Sequence, residues 1–208
     1  MCDKPIRVLQ VMGIVESGGV EAVIMNYYRN IDKSKVQFDF VMHKGSNRKY
    51  IEDIKAMGGK VYEVTPYSNP ISFVKDVYAI IKRENYKIVH SNMNALSVFP
   101  LFAAYLAGVP VRILHNHSTD TKAEPLRTFI KNLLKPFAKM FANKWCACSK
   151  LAGEWMYGQD AVEDGCVTVI NNAIDLNKFT YKHKIRNKLR EELMLKDNFV
   201  VGHVGRFM

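Results

Sequence analysis

The chain has 208 residues, a formal net charge of +10, 48% hydrophobic and 24% charged residues. This is the composition of a folded globular chain with enough apolar mass for one domain or slightly more, which excludes a disordered or collagen-like polymer. No run of 18 apolar residues exists, so no membrane-spanning helix is expected.

Met1-Cys2-Asp3-Lys4-Pro5 leads directly into an apolar run, without the basic, apolar and cleavage regions of a secretory leader. The expected location is therefore the cytoplasm, or peripherally the cytoplasmic face of a membrane. Cys2, Cys146, Cys148 and Cys166 show no Cys-x-x-Cys or metal spacing, so reduced thiols are expected.

In chain order, apolar runs alternate with amphipathic stretches. Ile6 to Met12 reads as a strand, Val20 to Ile31 as a helix, Val36 to Met42 as a strand and Lys49 to Met57 as a helix. Lys60 to Val64, Lys87 to His90, Val111 to His115, Lys144 to Cys148 and Val167 to Ile170 continue the strands. Ile71 to Arg83, Ala95 to Ala107, Leu126 to Ala142 and Leu151 to Tyr157 are the intervening helices. Strands apolar on both faces, separated by helices, predict a parallel sheet covered on both sides. The predicted fold is an α/β, Rossmann-like doubly wound sheet that binds ligands beyond the C-terminal ends of its strands.

The first such loop reads Met12-Gly13-Ile14-Val15-Glu16-Ser17-Gly18-Gly19-Val20-Glu21. Val15 stands where a Gly-x-Gly-x-x-Gly fingerprint needs its second glycine, and His43-Lys44 follows the second strand where a ribose-binding acid would be. Both disfavour NAD. No Gly-Lys-Ser/Thr follows either, which excludes a Walker A loop. What remains is Gly18-Gly19 opening a helix, where missing Cβ atoms and free amides suit an anion. The competing reading is a glycine turn needed only for packing.

Further segments complete an ordered set: Leu114-His115-Asn116-His117-Ser118, Ala147-Cys148-Ser149-Lys150, Val169-Ile170-Asn171-Asn172-Ala173-Ile174-Asp175 and Val204-Gly205-Arg206-Phe207. Together with Gly18-Gly19-Val20-Glu21, this set resembles the retaining glycosyltransferases of family 4, which have the two-lobed GT-B fold. The local style is similar to capsular and exopolysaccharide transferases. The resemblance implies an N-terminal, acceptor-side domain over residues 1–178, a linker with a basic helix over 179–198, and the start of a donor-binding domain over 199–208. Phe199 to Val204 is then expected to be a strand, short of the partners that would bury it.

The resemblance also implies roles. Gly18, Gly19 and Glu21 line the cleft near the donor diphosphate and the acceptor. The family histidine that contacts the donor sugar falls between His115 and His117. Alternation puts both on one side, with Asn116 opposite. Ser149 matches the serine after the sixth strand, Asn171 and Asp175 match the Asn-Gly-Val-Asp signature with Asn172 in place of its glycine, and Gly205 and Arg206 match the first phosphate-binding residues of the second lobe. The family's following lysine and its Glu-x7-Glu motif are absent from the 208 residues. The implied reaction takes a nucleotide sugar as donor, needs no metal or other cofactor, and is expected to fail in this chain alone. His90 is expected to be structural.

From Leu126 to Ala142 the sequence is both basic and apolar. Arg127, Lys131, Lys135 and Lys139 share one helical arc, and Leu126, Phe129, Ile130, Leu133, Leu134, Phe137, Met140 and Phe141 share an opposite one. Such a helix fits an anionic membrane surface. The alternative is an apolar stripe in the core with its lysines merely solvated, and Pro136 stands against an unbroken helix. The expected partners are a nucleotide sugar, a lipid-linked or oligosaccharide acceptor and an anionic membrane, without nucleic acid. Rival readings are another GT-B enzyme, an epimerase or phosphorylase, or a non-catalytic basic module that binds membrane or nucleic acid.

Overall fold

The computed structural model describes residues 4–16, 18–119, 125–195 and 197–203, with the backbone alone for 125–127. By contacts the chain divides into residues 1–173 and 174–208.

In the first unit the elements are β1 (Ile6–Val11), α1 (Gly19–Asn30), β2 (Val36–His43), α2 (Arg48–Ala56), β3 (Val61–Val64) and α3 (Pro70–Glu84). Then come β4 (Ile88–Ser91), a 3-10 turn (Asn94–Ser97), α4 (Val98–Leu106), β5 (Val111–Asn116), α5 (Pro125–Phe141), β6 (Lys144–Ala147), α6 (Lys150–Tyr157), α7 (Gln159–Glu163) and β7 (Val167–Val169). The strands form one seven-stranded sheet in the order β3-β2-β1-β4-β5-β6-β7, and every neighbouring pair is parallel. This is the doubly wound Rossmann-like sheet the sequence predicts. The chain reverses its direction of growth between β1 and β4, and at such a switch point the loops at the C-terminal strand ends part to leave a crevice.

Right-handed crossovers assign the helices to faces. Leu9, Val11, Val41 and Val89 pack under α3 and α4 through Phe73, Val77, Ile81 and Ala103. On the other face Met12, Phe40 and Met42 meet Ile24, Met25 and Tyr28 of α1 and Ile51 and Ile54 of α2. A third cluster joins Leu114, Ala147 and Val167 of the later strands to Leu101 of α4, Ala138 of α5 and Met156 of α6. Side-chain caps mark the helix starts: Asn47 accepts from Lys49 N, Asn69 from Ser72 N at 3.2 Å, and Ser149 from Ala152 N at 3.1 Å. Each such cap stabilises its helix by about 1 kcal/mol.

Helix α5 runs through Pro136, an exposed position, at the loss of one intrahelical N–H donor. Its faces differ from the expected division. Ala138, Leu134 and Phe141 pack into the core, whereas Phe129, Ile130, Leu133, Phe137 and Met140 are exposed. Lys135 is turned inward: its Nζ lies 3.3 Å from the centroid of the Trp155 ring and donates to the Trp155 carbonyl at 3.0 Å. The apolar arc is thus split: Leu134, Ala138 and Phe141 pack inward and Lys135 turns in beside Trp155, while the rest of the arc is exposed.

In the second unit Asp175 caps α8 (Leu176–Phe179) by accepting from Asn177 N at 3.2 Å, and α9 (His183–Glu192) follows. Neither helix has a buried residue. Residues 199–203 form no strand, and Phe199 is 94% exposed. An apolar run becomes a strand only when a neighbouring strand takes its hydrogen bonds, so the expected strand at Phe199 to Val204 is not formed over its described residues. Gly205 and Arg206 lie outside the described residues.

Candidate functional site

The C-terminal ends of β1, β4 and β5 bring together the side chains that matter most. Gln10 is in register with His90, and His90 with Ile113, two residues before His115. Gln10, His90 and His115 therefore point to the α1 side of the sheet.

The three histidines form a stack. The His115 and His117 rings lie 4.0 Å apart at 28°, and those of His90 and His115 lie 5.2 Å apart at 10°. His90 Nε2 and His115 Nδ1 share a hydrogen bond at 3.0 Å. His90, expected to be structural, thus belongs to the cluster. The register of β4 against β5 places it there, and no local pattern reports that register.

Burial lowers all three pKa values. His90 falls to about 3 and His115 to about 2, mainly by desolvation, with the charge that His117 would carry adding to it. Desolvation alone brings His117 to about 4. The cluster is neutral at physiological pH, so it accepts and donates hydrogen bonds without attracting anions. His115 is 2% exposed, and its Nε2 is buried without a partner. A cavity of about 180 Å³ adjoins it, lined by Gln10, His90, His115, Tyr27, Phe38 and Ile170.

Two asparagines missed by the sequence reading hold His117. Asn92 Oδ1 lies 2.9 Å from His117 Nε2, and Asn94 Oδ1 accepts from the His117 amide at 2.7 Å. Asn94 adopts φ 51°, a left-handed conformation asparagine tolerates better than most residues. The signal available was Asn92-x-Asn94 just beyond a strand at the switch point. Its meaning needed the β4–β5 pairing.

The other expected residues are placed as follows. Gly18 is the N-cap of α1 and Gly19 its first residue. A Cβ on Gly19 would meet nothing within 4 Å, so its own chain does not demand glycine there. A Cβ on Gly18 would fall 2.3 Å from Glu21 Oε2, so the carboxylate folds back over the helix start. Glu21 thereby puts a negative charge in the first turn of α1, where the helix dipole favours it, without a side-chain cap hydrogen bond. Asn116 turns to the opposite face, as alternation predicts, and donates to the carbonyls of Ala152 at 2.8 Å and Ser118 at 2.7 Å. It is tied to α6, apart from the histidine stack. Ser149 is the α6 cap, and Asn171 contributes its carbonyl to the Tyr27 hydroxyl. Asp175 lies in the second unit. His43, at the end of β2, was also missed: it is buried between Tyr67 and Phe73 with Nε2 unpartnered.

Comparison with known proteins fits this geometry. Residues 17–178 match the model of Glycosyltransferase Family 4. The chain is 35% identical over 212 residues to EpsF of Bacillus subtilis (strain 168), described as a glycosyltransferase, covering 97% of this chain and 54% of EpsF. It is 25% identical to the UDP-Gal:alpha-D-GlcNAc-diphosphoundecaprenol alpha-1,3-galactosyltransferase of Escherichia coli, covering 90% of this chain and 50% of that one. Among solved structures, Anabaena Alr3699/HepE in complex with UDP and glucose superposes with a TM-score of 0.73 at 19% identity, covering 98% of this chain and 54% of HepE. The chain spans about half the length of these relatives. With the family model matched over most of its length, this chain belongs to Glycosyltransferase Family 4.

Proposed function

We propose that the whole protein transfers a sugar, with retention, from a nucleotide sugar to a lipid-linked glycan acceptor in capsule, exopolysaccharide or cell-wall assembly. The observation that carries this reading is the neutral histidine stack at the switch point, beside a glycine-opened helix. A sugar needs hydrogen-bond partners rather than charge, and His115 and His117 supply them. A diphosphate needs amides and cations, because negative charge grows on it as the glycosidic bond breaks. Gly18 and Gly19 would offer amides from this side, and Arg206 a cation from the other. Such fixed groups make a metal unnecessary. On this reading residues 1–178 are the acceptor-side lobe, 179–198 connect, and 199–208 open the donor lobe. The 208 residues alone would then not turn over substrate. The test is a panel of nucleotide sugars offered to the whole protein with polyprenyl-diphosphate acceptors. Product with the donor's anomeric configuration is expected; inversion, or epimerisation of the donor without transfer, would overturn the reading.

A lipid-linked acceptor would bring the enzyme to a bilayer, and the exposed face of α5 supports that reading. Its exposed Phe129, Ile130, Leu133, Phe137 and Met140 would enter the interface, each contributing up to about 2 kcal/mol if fully buried. Lys131 and Lys139 of the same helix would reach anionic headgroups, worth about 1 kcal/mol each, while the Arg127 side chain lies outside those described. The galactosyltransferase relative names a diphosphoundecaprenol acceptor, which favours the same arrangement. Changing Phe129, Leu133 and Phe137 to Glu should abolish flotation with phosphatidylglycerol vesicles, more completely than changing Lys131 and Lys139 to Glu. Unchanged flotation of the apolar variant would remove α5 from the interface.

A further inference from the structure

We propose that Asn92 is a positioning residue: it holds His117 as the Nε2–H tautomer, so that Nδ1 is offered as an acceptor to a ligand hydroxyl. The part concerning the ligand rests on the function proposed above; the tautomer does not.

The orientation of one amide, that of Asn92, sets the tautomer. Asn92 Nδ2 donates to Gln10 Oε1 at 2.9 Å and to the His90 backbone carbonyl at 3.4 Å. A backbone carbonyl accepts only, so the nitrogen of the Asn92 amide must lie on that side. The Oδ1 atom is then the one turned to His117 Nε2, 2.9 Å away. An amide oxygen also only accepts, so Nε2 carries the proton. In a neutral imidazole the other nitrogen is then a lone-pair acceptor. Burial of the ring against His115 keeps it neutral.

Everything needed to hold this state comes from rigid elements. Gln10 lies in β1 and is buried, and Asn92 is anchored by its own amide, which donates to the Val11 carbonyl at 2.9 Å. Asn94 fixes the His117 backbone and donates to Ser118 Oγ at 3.1 Å. His117 Nδ1 has no hydrogen-bond partner among the described residues. A neutral acceptor of this kind takes an O–H and gives nothing to an ionised phosphate oxygen. His117 would thus select a sugar hydroxyl and leave the diphosphate to groups that donate. A histidine free to exchange tautomers would lose that discrimination.

The test reads the imidazole nitrogens by ¹⁵N NMR in the 208-residue chain, with the His117 signals identified by their loss in His117→Gln. The expected wild-type state is one neutral tautomer, with a pyrrole-type Nε2 and a pyridine-type Nδ1 from pH 7 to pH 5. A pyrrole-type Nδ1, or averaged signals, would overturn the proposal without any variant. Asn92→Asp keeps the size and the acceptor but adds charge, so His117 should keep its tautomer while its pKa moves up by about 1 to 3 pH units. Asn92→Leu, with an otherwise unchanged backbone spectrum, should give mixed tautomers. A His117 unmoved by both variants would show that Asn92 does not position it. In the whole enzyme, Asn92→Asp should add an acidic limb to the kcat/KM profile at the new His117 pKa, because imidazolium Nδ1 no longer accepts. An unaltered profile with the NMR shift present would overturn the hydroxyl role while leaving the tautomer assignment standing.

Discussion

Toward the N-terminal end of the sheet, the buried carboxylate of Asp39 is met on every side. It accepts from the Arg7 guanidinium, from the Tyr86 hydroxyl at 2.6 Å and from the Lys60 amide at 2.7 Å. At the C-terminal end, His43 Nε2, His115 Nε2 and Asn116 Oδ1 are buried with nothing to bond. Both ends bury polar atoms, and Gln37 Oε1 and Trp145 Nε1 at the strand starts are also without a partner among the described residues; what stands apart is that the buried charge of Asp39 is fully met. Buried polar atoms are nearly always paired, so each unpaired one costs stability that the rest of the fold must offset. The contrast lies between a buried charge that is fully paired and ties β1, β2 and the starts of β3 and β4 together, and the unpaired His115 Nε2, which adjoins a cavity at the switch point.

The greatest loss should come from breaking the Asp39 network. Asp39→Ala leaves the Arg7 guanidinium and the Tyr86 hydroxyl without their acceptor and should cost about 3 to 5 kcal/mol in urea unfolding. A loss below about 1 kcal/mol would mean that the network is inert, and the contrast between the ends would collapse. The histidine end should respond in the other currency. In the whole enzyme, His115→Ala with His117→Ala should lower transfer by about 10²-fold or more, since misplacing the sugar by about an ångström is enough for that. A near-normal rate would remove the stack from the reaction.

How much of this contrast can be read from the sequence depends on range. The strands are legible because a run such as Ile6 to Met12 needs no partner to be recognised as apolar on both faces. That His115 and His117 share a side follows from alternation alone, as does the opposite direction of Asn116. The partners of His117 are another matter. Asn92 lies 25 residues away and Gln10 lies 82 residues from Asn92, so the bonds depend on two parallel pairings. Parallel strands are joined by whole helices, and nothing local encodes their register. The same limit applies to Asp39 and Tyr86, 47 residues apart. Helix α5 failed differently: its periodicity is plain, but which arc meets the sheet depends on Trp155, which takes Lys135 inward.

An effect of intermediate size separates the ends by pH. A histidine held below its ordinary value is neutral in the native state, while in the unfolded chain it protonates as pH falls through about 6.5. The unfolded state then binds more protons, so stability is full above that value and is lost as pH drops toward about 4, where His117 begins to protonate in the fold. Each of the three histidines should contribute about 1 kcal/mol per pH unit within that window. The urea midpoint measured at pH 7 and pH 5 checks this. Replacing His90, His115 and His117 by Gln should flatten the dependence, and an equally steep triple variant would move its origin elsewhere.

The smallest change is the most discriminating, because stability and function should move in opposite directions. Gly19 is the first residue of α1, and a methyl group there meets no atom within 4 Å. Folding gains from Gly19→Ala, by about 0.5 to 1 kcal/mol, since alanine loses less backbone freedom in a helix. The space that makes the substitution harmless to the fold is, on the proposed reading, where the donor diphosphate or the acceptor comes closest. Gly19→Ala in the whole enzyme should therefore raise the melting temperature slightly and weaken donor or acceptor binding, seen as a higher KM for one of them. A variant that is more stable and equally active would show that the glycine serves only the turn. The ligand-binding part of this sheet end would then begin at the histidines rather than at the loop after β1.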